Sequence, residues 1–473
     1  MTQIDELISK AATAGDAIGQ LQQGRSQATY DQKKVEEAID PYQHKVMKPA
    51  FRPDKEINVT DETGKVTGKD TVKVARITTD LQQLIVKRAV SFLFGNDVSL
   101  YIDADTDDKA ADETLKAVKR VMAEAKTKSL NRELARDVFT ATEAAEIWYF
   151  ADAEKHERYG FPCERKLRCM VVSPRNGNQL YPYFNEQGDM VAFSRGFTNA
   201  RTNASYFETY TAEYHYLYTI VDGVWQLVDG YPQEHGFGKI PCVYSCQRNP
   251  EWHDVQPLID RLETLLSNFA DTNDYHASPK IFTTGDIKGW AKKGESGQII
   301  EGGVGATAQY LSWAQAPESV KLEVTTLLNL IYTLTQTPDI SFDNVKGLNT
   351  SGVALKLLFF DAHLKVQDKC EIFNEHLQRR CNVVLAMLAS EAPTAKAAQF
   401  RDAIIESEII PYQIEDEASK VNAIMQATGQ KAIMSRKTGV EALNYVNDVA
   451  EEIDRIEADE AATQMSNLFE PTE

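Results

Sequence analysis

Cysteine is scarce in this chain. Six cysteines in 473 residues are too few and too scattered for a disulfide framework. No run of about 18 apolar residues occurs, so no stretch reads as a membrane-spanning helix. The sequence does not open on the basic-then-apolar pattern of a secretory leader. A soluble, reduced, cytoplasmic protein is the expectation. Positive charge is also short: 51 Lys and Arg stand against 70 Asp and Glu, for a net charge of −19. Tight phosphate-driven binding of nucleic acid needs clustered cations that displace counterions, which this balance disfavours. No internal repeat or low-complexity tract is visible. The eight histidines are scattered, with no His-Ser-Asp or His-Cys order. Carboxylate pairs fall mostly on amphipathic helix faces, where solvation explains them. No catalytic residue and no cofactor is expected.

What is present is ordinary globular material, 42% hydrophobic and 26% charged, long enough for two to four domains with real cores. Residues 1–43 are polar and helical in flavour, with few apolar anchors. Residues 58–74 read as a turn-rich strand pair. From 74 to 95, Ile77, Leu81, Leu84, Ile85, Val90 and Leu93 form one stripe of a helix that Gly95 ends. Further helices are expected over 108–126 and 131–145. The period then changes. Residues 145–250 alternate, with Tyr210, Ala212, Tyr214, Tyr216 and Tyr218 placed on one face and hairpin turns at Gly188-Asp189 and Asp222-Gly223.

From Asp254 the helical period returns. Val255, Leu258, Ile259, Leu262, Leu265, Leu266 and Phe269 mark the apolar face, and Asp260, Glu263, Asp271 and Asp274 the opposite one. A glycine-rich insert, 277–315, precedes a second amphipathic helix through Val320, Val324, Leu327, Ile331 and Leu334. Pro338 stops it. After a polar loop, 352–390 could run as one helix of roughly 58 Å, at about 1.5 Å per residue. Residues 404–413 are strand-like, and two helices close the chain.

Several motifs invite a sharper reading and fail it. Gly347-x4-Gly352 lacks the Lys-Ser/Thr that a phosphate loop needs after its second glycine, and a helix rather than a strand precedes it. Asp103, Asp105 and Asp107 begin like a calcium loop, but Asp108 and Thr114 stand where it needs Gly and Glu, so an acidic helix start is the simpler reading. Cys242-x3-Cys246 with His253 nearby has no second ligand pair for zinc. Alternation puts both cysteines on one strand face, as core residues. Cys370 and Cys381 read as thiols buried within a helix. The Asn-x-Ser/Thr triplets at Asn58, Asn203 and Asn349 carry no meaning without a secretory route.

Taken in order, five segments resemble the portal proteins of tailed bacteriophages, of the kind found in long-tailed phages. They are "LIVKRAVSFLFGNDVSLYID", "NRELARDVFTATEAAEIWYF", "GKIPCVYSCQRNPEWHDVQPLIDRLETLLSNFADTND", "PDISFDNVKGLNTSGVALKLLFFDAHLKVQDKCEIFNEHL" and "IMSRKTGVEALNYVNDVAEEIDRIEADE". The second departs from the family in carrying an Ala-rich "TEAAE" where a glycine is frequent. The resemblance implies an α+β portal fold. Residues 1–253 would form an N-terminal region and a mixed α/β wing. Two stem helices (254–276 and 316–337) would flank a small clip (277–315). A tunnel loop (338–351) would lead to the long wing helix and wing strand (352–411), and 412–473 would form a helical crown.

It implies a homo-oligomeric ring of twelve at one capsid vertex, part of the virion and assembled in the host cytoplasm. Double-stranded DNA would pass through its channel. The packaging terminase, head-completion or adaptor proteins, capsid and scaffolding protein would be its partners, and no membrane would be. Asn344, Lys346, Gly347, Asn349, Thr350 and Ser351 would face the channel, and Leu262, Leu266, Leu327 and Ile331 would pack the stem. An acidic chain suits that job, because each basic contact adds binding free energy that resists DNA sliding. A different minor head component, or a cytosolic enzyme without a recognisable motif, are the alternatives.

Overall fold

The computed structural model describes residues 3–23, 52–60, 65–102, 109–276, 280–284, 287–288, 301–302, 305–311, 316–339, 359–412, 417–429, 432–443, 445–446 and 449–469. In chain order the elements are α1 (Gln3–Lys10), α2 (Ala14–Gln23), β1 (Lys55–Thr60), β2 (Val66–Val72), α3 (Leu81–Leu93), β3 (Ser99–Ile102), α4 (Lys109–Glu124) and α5 (Thr127–Ala141). A strand-rich stretch follows, with β4 (Glu143–His156), β5 (Cys163–Val172), β6 (Gln179–Phe184), β7 (Met190–Thr198), β8 (Ser205–Tyr210), β9 (Tyr214–Val221), β10 (Val224–Leu227), β11 (Gln233–Glu234) and β12 (Cys242–Cys246). Then come α6 (Gln256–His276), β13 (Lys280–Thr284), β14 (Ile287–Lys288), β15 (Glu301–Gly302), β16 (Thr307–Leu311), α7 (Ala316–Leu334), α8 (Phe360–Glu391), α9 (Thr394–Asp402) and β17 (Ile405–Glu408). Three helices close the chain: α10 (Glu417–Thr428), α11 (Arg436–Leu443) and α12 (Val449–Phe469). The fold is mixed α and β.

The chain divides into two compact units, one of residues 1–339 and 361–412, the other of 340–360 and 413–473. In the first, an antiparallel sheet in the order β12-β4-β5 lies beside a meander in the order β10-β9-β8-β7-β6, with β11 paired to β9. The two sheets meet through Ala145, Ile147, Val172, Leu180, Phe193 and Cys242. The long helix α8 packs on the other side of the three-stranded sheet. Trp148 and Leu167 from the sheet, Val118 and Val121 from α4, and Val384, Leu385 and Leu388 from α8 form one core. Polar outer residues and apolar inner ones on α4 produce this arrangement by ordinary amphipathic docking. In the second unit, α10 and α11 approach so closely that a Cβ on Gly439 would lie 2.9 Å from Thr428 Cγ2 and 3.0 Å from Ile424 Cγ2. The Arg436–Glu460 ion pair, at 2.8 Å, ties α11 to α12.

Several sequence expectations need correction. The helix assigned to 74–95 begins only at Leu81, and Ile77 is exposed. The amides of Ala75, Ile77 and Thr79 are taken by side chains of α6, which holds 74–80 extended. The polar N-terminal residues do have anchors: Ile4, Ile8, Ile18 and Leu21 are buried against Phe207, Tyr216 and Tyr218 of the meander. Tyr210 does not share that face. It ends β8 opposite His215, with their rings stacked at 4.2 Å, and belongs to the inter-sheet core. The turn at 211–213 resets the alternation between the two strands. Cys242 is buried but Cys246, at the strand end, is exposed. The expected third helix, 131–145, instead spans Thr127–Ala141, with β4 beginning at Glu143.

Candidate functional site

The antiparallel helices α6 and α7 and the segment between them organise the region that sequence reading singles out. Ile259, Leu262 and Leu265 of α6 are buried, as are Leu327 and Ile331 of α7, while Leu266 is half-buried. The helices pack together, and Arg261 bridges to Glu323 at 2.7 Å. Between them, β13 pairs with β16 and β14 with β15. Asn344, Lys346, Gly347, Asn349, Thr350 and Ser351 lie outside the described residues, as do Asp103, Asp105 and Asp107.

One face of α6 is a ladder of acceptors. Ala75 N–H donates to Asp271 Oδ1 at 2.7 Å, Ile77 N–H to Ser267 Oγ at 2.9 Å, and Thr79 N–H to Glu263 Oε1 at 2.9 Å. The match is geometric. Four residues of helix rise about 6 Å and two residues of extended chain about 6.6 Å, so residues i, i+4 and i+8 of one meet alternate amides of the other. Glu263 and Ser267 are buried here rather than solvated. Arg52 reinforces the far end by donating to Asn268 Oδ1 at 2.7 Å and pairing with Asp271. Burial opposes ionisation of Asp271, yet the Ala75 amide and Arg52 hold its pKa below the ordinary value.

The end of α7 is closed with equal care. Gln336 adopts a left-handed backbone, φ +50°. Its N–H donates to Thr333 O at 3.1 Å, and Thr337 N–H donates to Tyr332 O at 2.9 Å. This is a Schellman closure with a non-glycine residue in the left-handed place. Another carbonyl at this end, Thr335 O, receives Lys365 Nζ at 3.0 Å. Lys365 and Lys369, one turn apart on α8, both grip the carboxylate of Glu251 at 2.7 Å. Burial would raise the Glu251 pKa, but the two ammonium groups outweigh it and keep it low. From α3, Arg88 donates to Pro338 O and lies over the Tyr332 ring at 5.6 Å. The chain therefore leaves α7 and returns at α8 on two anchored ends.

Further buried charges fasten α8 and the meander. Glu146 of β4 accepts from Arg380 Nε at 2.9 Å and from Trp148 Nε1 at 3.2 Å, and lies 3.4 Å from His376 Nε2. Burial opposes the charge on Glu146, but Arg380 and His376 hold its pKa well below the carboxylate range. Burial lowers the His376 pKa, and its Nδ1 lies 2.6 Å from Ser245 Oγ. In the meander, Glu208 accepts from Tyr210 OH at 2.7 Å, lies 2.8 Å from His215 Nε2, and pairs with Arg195. Each carboxylate is countered by fixed partners, which is the chemistry of rigid fastening. Among the described residues, no group of His, Cys, Asp or Glu is placed to hold a metal. No described helix is long and apolar enough to cross a membrane. Sequence reading missed these fastenings, because those of Glu146 with Arg380 and of Glu251 with Lys365 join residues far apart in the chain, and that of Glu208 depends on which residues face one another across strands. The one local signal was the Lys365/Lys369 pair at i, i+4 spacing.

Residues 25–466 match the model of a family described as phage portal protein, SPP1 Gp6-like. The chain belongs to that family. Its role is that of a portal, a connector component, and the family is structural. The anchored ends and the acceptor ladder are thus features of a portal subunit. Solved structures similar to it include two neck assemblies. One, described as the neck of an empty GTA particle computed with C6 symmetry, has a TM-score of 0.43 and 10% identity, over 76% of this chain and 88% of that one. The other, the neck of a native GTA particle computed with C12 symmetry, gives 0.39 and 12%, over 77% and 88%. No curated protein matches the sequence.

Proposed function

We propose that this portal subunit assembles into a closed ring of twelve at one capsid vertex, whose axial channel passes double-stranded DNA during packaging and ejection. The observation that carries the reading is the family match over 25–466. In this reading α6 and α7 are the stem and 277–315 the clip, docking the terminase motor and later the head-completion proteins. Residues 338–351 are the tunnel loop, α8 crosses the wing, and 412–473 form the crown. Capsid and scaffolding protein meet the ring during assembly in the host cytoplasm. Subunits repeat by head-to-tail contacts that rotate to closure.

The two anchored ends support the tunnel-loop assignment physically. A loop that meets moving DNA must take load without unravelling the helices it joins. Lys365, Glu251, Arg88 and the Schellman closure hold those helix ends. Within the loop, Gly347 offers backbone freedom, Asn344, Asn349, Thr350 and Ser351 offer neutral hydrogen-bonding groups, and Lys346 offers one point charge that follows phosphates without a bidentate grip. The test is a cysteine at Asn344 in a cysteine-depleted background, crosslinked to DNA in filled particles. Efficient crosslinking there and little at a Glu457 control supports the loop. Equal or absent labelling at both sites removes it from the channel.

A further inference from the structure

We propose that a cavity between the α4–α5 junction and β5, the edge strand of its sheet, binds a phosphate-bearing ligand, a function separate from the channel. The cavity holds about 410 Å³, within the range of small-ligand sites, and its wall includes Lys126, Arg158, Lys166, Arg168, Tyr149 and Glu124. Four cations and one carboxylate stand among its lining residues, in a chain where acids outnumber bases by 70 to 51. That carboxylate is already engaged: Glu124 pairs with Arg158 and with Arg120, both at 3.1 Å, and accepts from Tyr159 OH at 3.0 Å. The side chains of Lys126, Lys166 and Arg168 have no hydrogen-bond or ion-pair partner among the described residues. A concave, low-dielectric wall focuses their uncompensated field.

Lys126 is held left-handed, φ +57°, between α4 and α5, and α5 has no side-chain cap. Thr127 Oγ instead donates to Met122 O at 3.1 Å. Lys126 also borders a second cavity, of about 380 Å³, whose wall carries Lys119 and the buried Asn131. Tyr149 lies directly across the ladder from Arg168 and is exposed. Arg168 supplies a fork for phosphate oxygens, Lys126 and Lys166 supply point charges, and the Tyr149 ring supplies a surface on which a base stacks. The ligand class is a nucleotide phosphate, either free or within a nucleic-acid strand.

The full-length protein is tested with inorganic tripolyphosphate, ATP and a labelled DNA duplex. The comparison uses wild type, Lys166→Gln/Arg168→Gln, and Lys155→Gln as a control outside the cavity. Saturating tripolyphosphate should raise Tm by about 2–4 °C in wild type and control. It should leave the double variant unmoved, and ATP should bind that variant at least tenfold more weakly. Duplex binding that depends on Lys166 and Arg168, and that tripolyphosphate competes away, identifies the nucleic-acid backbone as the source. Binding of ATP without the duplex identifies the free nucleotide. Should the double variant lose its far-UV signal, Lys166→Met and Arg168→Met singly give the same readout. Binding of no probe, or equal binding to wild type and variants, overturns the proposal.

Discussion

Glu208 shows what a single residue does in this fold. Its burial opposes ionisation, but the hydrogen bond with His215, the Arg195 guanidinium and the Tyr210 hydroxyl outweigh it and lower the pKa from 4.5 to about 2. The folded-state value lies below the unfolded one, so the contribution is fully present above pH 4.5 and is lost as pH falls towards 2. It is worth roughly 3 kcal/mol at neutral pH. Glu208→Gln should therefore be less stable than wild type at pH 7, and the gap, measured by denaturant unfolding, should shrink below pH 4.5. A gap independent of pH would mean the carboxylate contributes no charge. Gly95 is the second residue-scale case. Sequence reading gave it the role of helix stop, but a Cβ there would lie 2.4 Å from Ser91 O and 2.6 Å from Tyr412 Cβ. Part of the constraint is the helix's own last turn, and part comes from Tyr412, more than 300 residues away, which no local pattern displays. Gly95→Ala should cost about 2–3 kcal/mol by overpacking against backbone, read as a lower unfolding midpoint. An unchanged midpoint would show that both the Ser91 carbonyl and Tyr412 can move aside.

At the scale of elements, periodicity carried most of the information. The apolar stripes of α6 and α7, the glycine hairpin turns between β6 and β7 and between β9 and β10, and the change of period near residue 145 all follow from side chains choosing a buried face. What stayed hidden is polar and long-range. The 263/267/271 ladder looks like a solvated acidic face, since nothing in the sequence says that residues 75–79 will lie along it. Glu263→Ala should cost about 2–3 kcal/mol, because it strands the Thr79 amide and hydroxyl against a buried helix face. Exchange protection should be lost at Thr79 before it is lost in α6. Simultaneous loss in both would make the ladder part of one unit with the helix. On the apolar face, Leu262→Ala should cost about 3 kcal/mol and the half-buried Leu266→Ala clearly less. Equal costs would argue that α6 and α7 pack differently in the assembled state.

Across the whole molecule, the portal reading was legible because five separate segments appear in the family's order, each weak alone. The tunnel-loop, clip and crown roles rest on that order and on the anchored helix ends, and they are tested by crosslinking and assembly. The acidic balance of 70 to 51 led sequence reading away from phosphate binding. A global count cannot show that Lys126, Lys166 and Arg168 gather at one cavity while the carboxylates are spread or paired elsewhere. The most direct measurement of the central claim is single-particle imaging with mass determination on the purified full-length protein. The account predicts a ring with an axial hole and a mass of roughly 640 kDa, twelve chains of 53.0 kDa, by head-to-tail closure. A monodisperse monomer or dimer at micromolar concentration would contradict it.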